Sequence, residues 1–379
     1  MPLNIAFIGN SEKFSSHYGR VYHRIGTLIG NKACIRRFVD PGAVIEDPSG
    51  PYLNAQMSEM RSFGPDIVFH NPVDLASQIA TEGKTMGRSP EEIHGAYKMV
   101  ENAFARDFYG SVELLSEPLE IETSTKDGFY KLCKQNRIPT PRTVVIRDID
   151  PALRTHAHIA RMLGRHDTAE IVYKNCRGGC GLENFLVSSH KEMRKVFGSG
   201  NGSNFVAQER VNIGPIPFSM RVVTFGTSVI GGVLLVNPEG GFSSNGAQGG
   251  TGLGLALYGE RFIECGLPDI GLDSREILRI FGQAGVDPFE RKIPDEVLRL
   301  ASIIGGLPSR NLLRGIDFLF DIKRNVYALE CNSVPGPPGE RMWADMTGTS
   351  APSGHKALMD LEVDIAAKLI AGVIKESRG

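Results

Sequence analysis

The chain has 379 residues, 41% of them hydrophobic and 22% charged. These ordinary globular proportions exclude a disordered tail, a collagen-like rod and a coiled coil, and the length suggests two or three domains. Forty-two basic residues against 43 acidic ones leave a formal charge of −1, which advertises neither a nucleic acid nor a membrane surface as partner.

Met1-Pro2-Leu3-Asn4-Ile5 has no basic segment leading an apolar one, so no secretory signal is expected. Asn4 to Gly9 reads as a buried strand entering a glycine turn, Tyr18 to Leu28 as a helix and Ala33 to Val39 as a second strand. Ser58 to Phe63 reads as helix and Asp66 to His70 as another buried strand. This alternation predicts a small parallel α/β domain over residues 1–115. Its first turn, Gly9-Asn10-Ser11-Glu12-Lys13, lacks G-x-G-x-x-G, which argues against a dinucleotide there. His17, His23 and His70 could line a substrate pocket in this domain, although core or surface histidines fit the pattern better.

A helix from Lys126 to Gln135 ends at Ile138-Pro139-Thr140-Pro141, where two prolines force extended chain. Residues 116–204 are read as this linker helix and a small subdomain, and 205–379 as a larger subdomain. The predicted strands are Thr143 to Arg147, Glu170 to Lys174, Phe205 to Gln208, Met220 to Phe225, Ser228 to Val236, Ile316 to Phe320 and Val326 to Asn332, with a helix at His156 to Leu163. The apolar run Val229 to Val236 is about half of the ~20 residues that a spanning helix needs. Leu255 to Val297 fits no strong motif and reads as a substrate-specific insertion; Leu358, Leu361, Ile365 and Leu369 mark a C-terminal amphipathic helix. Six scattered cysteines form no disulfide framework, and only Cys176 and Cys180 are close, without a second pair to complete a zinc site. The expected setting is a reducing, cytoplasmic one.

Three patterns carry chemistry. The first is a hairpin, Asp317 to Phe320 returning as Val326 to Asn332. With the turn centred between Lys323 and Arg324, Asp317 faces Glu330 across the strands, and Asn332 shares the face of Glu330. Facing carboxylates repel, and a divalent cation between them reverses the sign; three hard oxygen donors suit magnesium that also shares phosphate oxygens. Two solvated acids on an exposed hairpin is the plainer alternative. The second is Lys174 at a strand end, followed by the loop Gly178-Gly179, which can offer an ammonium and backbone N–H groups to phosphates but is not a Walker A loop. The third is scattered: Lys126, Arg221 and Asn245, each unremarkable singly. Glycine, at 44 residues, is about 12% of the chain against an average near 7%, and the glycine-rich loops 177–181 and 240–254 are candidate lids.

In this order, Lys126, Lys174 with its glycine loop, Gln208-Glu209-Arg210-Val211, Arg221, Asn245, Asp317 and Glu330-Cys331-Asn332 resemble the ATP-grasp superfamily over roughly residues 120–375. The nearest resemblance is to D-alanine–D-alanine ligases and to the enzymes that add glutamate to ribosomal proteins. It implies an ATP-grasp fold behind an N-terminal α/β domain, with ATP and two magnesium ions as cofactors. It also implies that Lys126, Lys174, Gly178, Gly179 and Asn245 serve the nucleotide, that Gln208, Glu209 and Val211 hold adenine, and that Arg221 with Lys174 faces the transferred phosphoryl group. Asp317, Glu330 and Asn332 would hold metal. The family's ribose acid is absent, with Ser219 near its place; Gln248 stands where a basic residue is usual, and Gly315 replaces an arginine, with Arg314 adjacent.

The implied activity is an ADP-forming carboxylate–amine ligase working through an acyl phosphate on small-molecule or peptide substrates; the oligomeric state stays open, with homodimers frequent in similar enzymes. A phosphotransferase and a non-catalytic nucleotide-binding module are the alternatives on the same fold.

Overall fold

The computed structural model describes residues 3–9, 17–29, 33–47, 49–70, 72–108, 113–114, 125–176, 184–198, 202–240, 244, 251–258, 261–264, 272–286, 293–307, 313–332, 367–368 and 370–372. These form three sheets. The first is parallel, in the order β2-β1-β3-β4, from β1 (Leu3–Ile8), β2 (Ala33–Phe38), β3 (Ile67–Phe69) and β4 (Glu113–Leu114). Its helices are α1 (His17–Ile29), α2 (Pro41–Glu46), α3 (Pro51–Phe63), α4 (Pro72–Thr85) and α5 (Pro90–Asp107). Four of the five begin on proline, whose fixed φ and missing N–H suit the first helical turn. The Asp40 side chain caps α2, and Ser89 with Glu92 forms a capping box on α5.

The second sheet is antiparallel, in the order β5-β8-β6-β7: β5 (Thr143–Val145), β6 (Ile171–Asn175), β7 (Asn184–Val187) and β8 (Phe205–Glu209). The helices α7 (His156–Met162) and α8 (His190–Phe197) pack on one face, over Ile171, Tyr173 and Ala207. β8, which follows the division expected after residue 204, pairs within this sheet. The linker helix α6 (Lys126–Gln135) has the expected bounds; Thr125 caps it, accepting from Gly128 N at 3.3 Å.

The third sheet runs β12-β11-β10-β9-β13-β14: β9 (Phe218–Phe225), β10 (Ser228–Val236), β11 (Thr251–Tyr258), β12 (Arg261–Glu264), β13 (Leu313–Phe320) and β14 (Val326–Asn332). One face carries Phe218, Met220, Val222, Ile316, Phe318 and Ala328 against α9 (Ser274–Ala284) and α10 (Asp295–Gly305). Leu255 to Val297 is therefore no insertion: it supplies two strands and much of the principal core, including Ile280, Phe281 and Val297. Residues 251–254, read from composition as part of a lid, are strand.

On the other face of β9, Val223 and Phe225 pack with Ile5 and Phe7 of the parallel sheet and with Ala367, Ile370 and Ala371. Residues 367–368 and 370–372 are helical; Leu358, Leu361, Ile365 and Leu369 lie outside the described residues. Among the described residues, no helix is long and apolar enough to cross a membrane.

Candidate active site

A cleft separates the exposed faces of the second and third sheets. Alternation on β6 and β8 sends Val172, Lys174 and Gln208 into it, away from the residues that pack under α7 and α8. From the opposite side, β9 contributes Ser219 and Arg221, β13 contributes Asp317 and Leu319, and β14 contributes Leu329 and Glu330. The connection from β8 to β9 closes one end with Arg210, Val211 and Ile213.

The hairpin register places Asp317 directly across from Glu330 and Gly315 across from Asn332. The turn is tighter than expected: Phe318 pairs with Ala328 and Phe320 with Val326, and a bulge at Leu329 brings Asp317 back opposite Glu330. Asp317 is also the direct cross-strand neighbour of Arg221 on β9. Arg221 donates from Nε to Asp317 Oδ1 and from Nη2 to Oδ2, both at 2.6 Å, and its Nη2 lies 4.0 Å from Glu330 Oε1.

Burial pushes the Asp317 carboxyl up to about 6 against the pull of Arg221, and the charge and hydrogen bond of Glu330 add to the rise. Burial alone would raise Glu330 too, but Lys126, Lys174 and Arg221 outweigh it and hold that carboxyl below its usual range. Burial lowers the Lys174 ammonium to about 8; Lys126 adds to the fall, while Glu330 and Asp317 oppose it. Three cations thus surround Glu330, and the strand end of the cleft suits an anion that brings its own divalent cation. Asp317 and the half-buried Glu330, facing each other across the strands, offer the hard oxygen donors that magnesium sharing phosphate oxygens takes; Asn332, two residues further along β14, does not line the cleft.

At the other end, Gln208 Nε2 donates to Thr143 Oγ1 at 3.0 Å. Glu209 accepts from Arg142 N at 2.8 Å and from Arg165 Nη2 at 2.7 Å, while Arg210 pairs with Glu170. The loop after it is pinned to the larger subdomain by Ile322 N donating to Asn212 O at 3.0 Å, and by Gln283 Nε2 donating to Ile213 O at 3.2 Å. These bonds fix the wall on which a flat heterocycle would stack between Val172, Leu235 and Leu329.

The structure thus brings Lys174, Gln208, Glu209, Val211, Arg221, Asp317 and Glu330 into one cleft. Lys126, at the first position of α6, reaches it through its charge on Glu330 and Lys174. Gly178, Gly179 and Asn245 lie outside the described residues, as do Gln248 and most of both glycine-rich loops. Arg314 does not stand in for the arginine that Gly315 replaces. It points to the opposite, core face, fully buried, and donates to the carbonyls of Ile304 and Leu307 at the end of α10. His70 is a core residue paired with Glu101 at 2.9 Å. The described cleft residues that the sequence reading missed as site members include the apolar Val172, Leu235 and Leu329 and the polar Asn184 and Ser244, the last with its hydroxyl 2.6 Å from that of Ser219.

Two facing antiparallel-strand layers that clamp a cationic cleft, behind a parallel α/β domain, are an ATP-grasp fold. Within it, residues 123–262 match the RimK-like ATP-grasp domain. The chain is 24% identical over 222 residues to the coenzyme gamma-F420-2:alpha-L-glutamate ligase of Methanocaldococcus jannaschii, covering 58% of this chain and 61% of that protein. It therefore spans about three fifths of the length of that relative. The fold is similar to a RiPP-associated ATP-grasp ligase of Chryseobacterium gregarium solved with ADP and a leader and core peptide: TM-score 0.49, 13% identity, 100% of this chain and 98% of that one. It is also similar to D-alanine–D-alanine ligase from Bacillus anthracis: TM-score 0.43, 12% identity, all of both chains.

Proposed function

We propose that this chain is an ATP-dependent carboxylate–amine ligase that forms an amide bond through an acyl phosphate and releases ADP and phosphate. The observation that carries it is the convergence of Lys174, Arg221, Asp317 and Glu330 at one end of a cleft whose other end is the pinned segment Gln208–Val211. The RimK-like match and the glutamate ligase relative support the same reading.

In this reading the base lies against Gln208, Glu209 and Val211, and Lys126 and Lys174 take the phosphates together with the backbone of Gly178 and Gly179 and the Asn245 amide. Asp317, Glu330 and Asn332 would hold the two magnesium ions. Bound there, magnesium neutralises the charge that develops on the phosphoryl oxygens. A substrate carboxylate attacks the terminal phosphorus, the bond to the bridging oxygen of ADP breaks, and an acyl phosphate forms. Arg221 and Lys174 face the transferred group and stabilise its equatorial oxygens. The amine then adds to the acyl carbon, loses a proton and expels phosphate. No protein nucleophile is needed. Acyl phosphates hydrolyse, so the cleft must exclude water during turnover.

The test is release of ADP and of free phosphate from MgATP in the presence of pooled amino acids and short peptides. Release of both in equal amounts, dependent on a carboxylate and an amine together, is the expected result. Phosphate retained on the product would identify a phosphotransferase instead. A homodimer, also part of this reading, is read from sedimentation of the full chain.

A further inference from the structure

Asp127 follows Lys126 on α6, is only 4% exposed, and does not line the cleft. Its carboxylate pairs with Arg147, in the short turn Ile146–Asp148 that leaves β5, and accepts from the Cys176 thiol just past the end of β6. Burial, and after it the charge of Asp127, pushes that thiol up to about 11, so it keeps the proton that it donates.

Two backbone bonds meet at the same place. Lys126 N donates to Cys176 O at 3.0 Å, and Cys176 N donates to Asn204 O at 2.7 Å, just before β8. Cys176 also packs with Val145, Val206 and Tyr130. The ends of β5 and β6, the start of β8 and the first turns of α6 therefore share one junction. Cys176 stands two residues after Lys174, so alternation puts the two on the same face.

This junction fixes where Lys126 stands. Lys126 and Lys174 carry like charges at one end of the cleft, and the first adds to the lowering of the second. Their repulsion pushes the first turn of α6 away from β6. It is opposed by the Lys126–Cys176 backbone bond and by the Asp127 carboxylate, whose two partners belong to the neighbouring strand ends. Successive helical residues point about 100° apart, so a carboxylate turned to the strands leaves its neighbour free to act on the cleft. Charge-assisted bonds to phosphate are short and directional, and a small retreat of the helix forfeits most of their benefit.

We infer that Asp127 is the positioning residue for Lys126: with Arg147 and Cys176 it clasps the first turn of α6 to the ends of β5 and β6, and so sets how well Lys126 reaches the nucleotide phosphates. The inference rests on the phosphate role of Lys126 proposed above and extends it to a residue that, in that reading, touches neither nucleotide nor metal.

The experiment is equilibrium binding of MgATP to the full chain, to Asp127→Asn, to Arg147→Gln, to Lys126→Ala, and to the two double variants that join Lys126→Ala to each of the others. Asparagine keeps the shape of Asp127, and the Arg147 side chain is half-exposed, so water can take up its guanidinium when the pair is broken. Lys126→Ala should weaken binding by about tenfold or more, and Asp127→Asn and Arg147→Gln each by about threefold or more without exceeding it. In the Lys126→Ala background neither change should alter affinity beyond about twofold, because the group it positions is gone. A carboxylate that merely stabilised the fold would weaken binding in both backgrounds. Losses that multiply in the double variants, or unchanged affinity in Asp127→Asn, overturn the inference and leave the nucleotide reading standing. Where Asp127→Asn does not fold, Arg147→Gln decides by the same two outcomes. No binding by the original chain overturns the nucleotide reading, and full affinity in Lys126→Ala overturns the phosphate role of that lysine; the inference falls with either.

Discussion

Arg221 and Asp317 lie 96 residues apart in sequence yet are direct neighbours across β9 and β13, and their side chains close a two-bond fork with both N···O distances at 2.6 Å. Asp317 thus has a resident cation in the protein itself, and a guanidinium covers a carboxylate proposed to bind metal. On the proposed reading magnesium competes with Arg221 for Asp317, and a bound polyphosphate would draw the guanidinium toward its own oxygens.

Arg221→Ala should therefore do two things. Breaking a buried ion pair by removing one partner costs about 3–5 kcal/mol, because the remaining charge is left without compensation. Added magnesium should restore part of that loss, by raising the melting temperature of the variant more than that of the original chain. Equal magnesium shifts in the two proteins would separate Arg221 from the metal site. Turnover should fall about a hundredfold or more, as for loss of one preorganised transition-state donor.

Lys174 gives nucleotide binding a pH dependence of definite sign. Its ammonium, lowered by burial to about 8, is half deprotonated near that pH, and bound phosphates favour the charged form. Binding near pH 8 should therefore take up protons, and affinity should fall as pH rises through this value. Calorimetry in two buffers of different ionisation enthalpy measures the uptake directly. Lys174→Ala should weaken ATP binding by about tenfold or more and abolish the uptake; uptake that persists in this variant would assign the titration elsewhere.

Asp317 has the opposite sign of shift for an acid, raised to about 6. Between the ordinary carboxyl range and pH 6 the folded chain binds more protons than the unfolded one. Its contribution to stability therefore declines as pH rises across that window. Magnesium must displace the same proton, so metal affinity should weaken as pH falls below about 6. In Asp317→Asn the falling limb of stability and the magnesium response should both disappear, as chemical denaturation between pH 4 and 7 would show. A limb that survives would mean that another group carries the proton.

What could be read from sequence follows the reach of each interaction. Local periodicity sufficed for α6, β10 and β14, whose bounds were expected to the residue. The helices α2, α4 and α5 went unread although Pro41, Pro72 and Pro90 open them and Ser89 with Glu92 caps the last. Those start signals are weaker than an apolar stripe, and helices sandwiched on a parallel sheet blur the stripe. The fork between Arg221 and Asp317 and the Ser219–Ser244 contact were out of reach, since no local pattern specifies which strands become neighbours. The opposition of Asp317 and Glu330 was anticipated for an incomplete reason: the turn is half a residue tighter than assumed, and the bulge at Leu329 makes up the difference.

That bulge yields the last prediction. Ala328 faces the core, and strict alternation from it would send Leu329 to the cleft and Glu330 back into the core. The extra residue lets both Leu329 and Glu330 face the cleft. Deleting Leu329 makes Glu330 the next residue after Ala328, still opposite Asp317 and still on the cleft side, so the magnesium-induced rise in melting temperature should persist. Nucleotide affinity should drop about three- to tenfold, because part of the apolar wall is gone. Inserting one alanine after Leu329 acts differently: Glu330 slides opposite Ile316 when the bulge keeps its one extra residue, or opposite Gly315 when the bulge closes, and in both arrangements the acids part. The magnesium response should vanish from the insertion variant. Its retention there, or its loss on deletion of Leu329, would show that metal binding does not depend on the two carboxylates meeting across the strands.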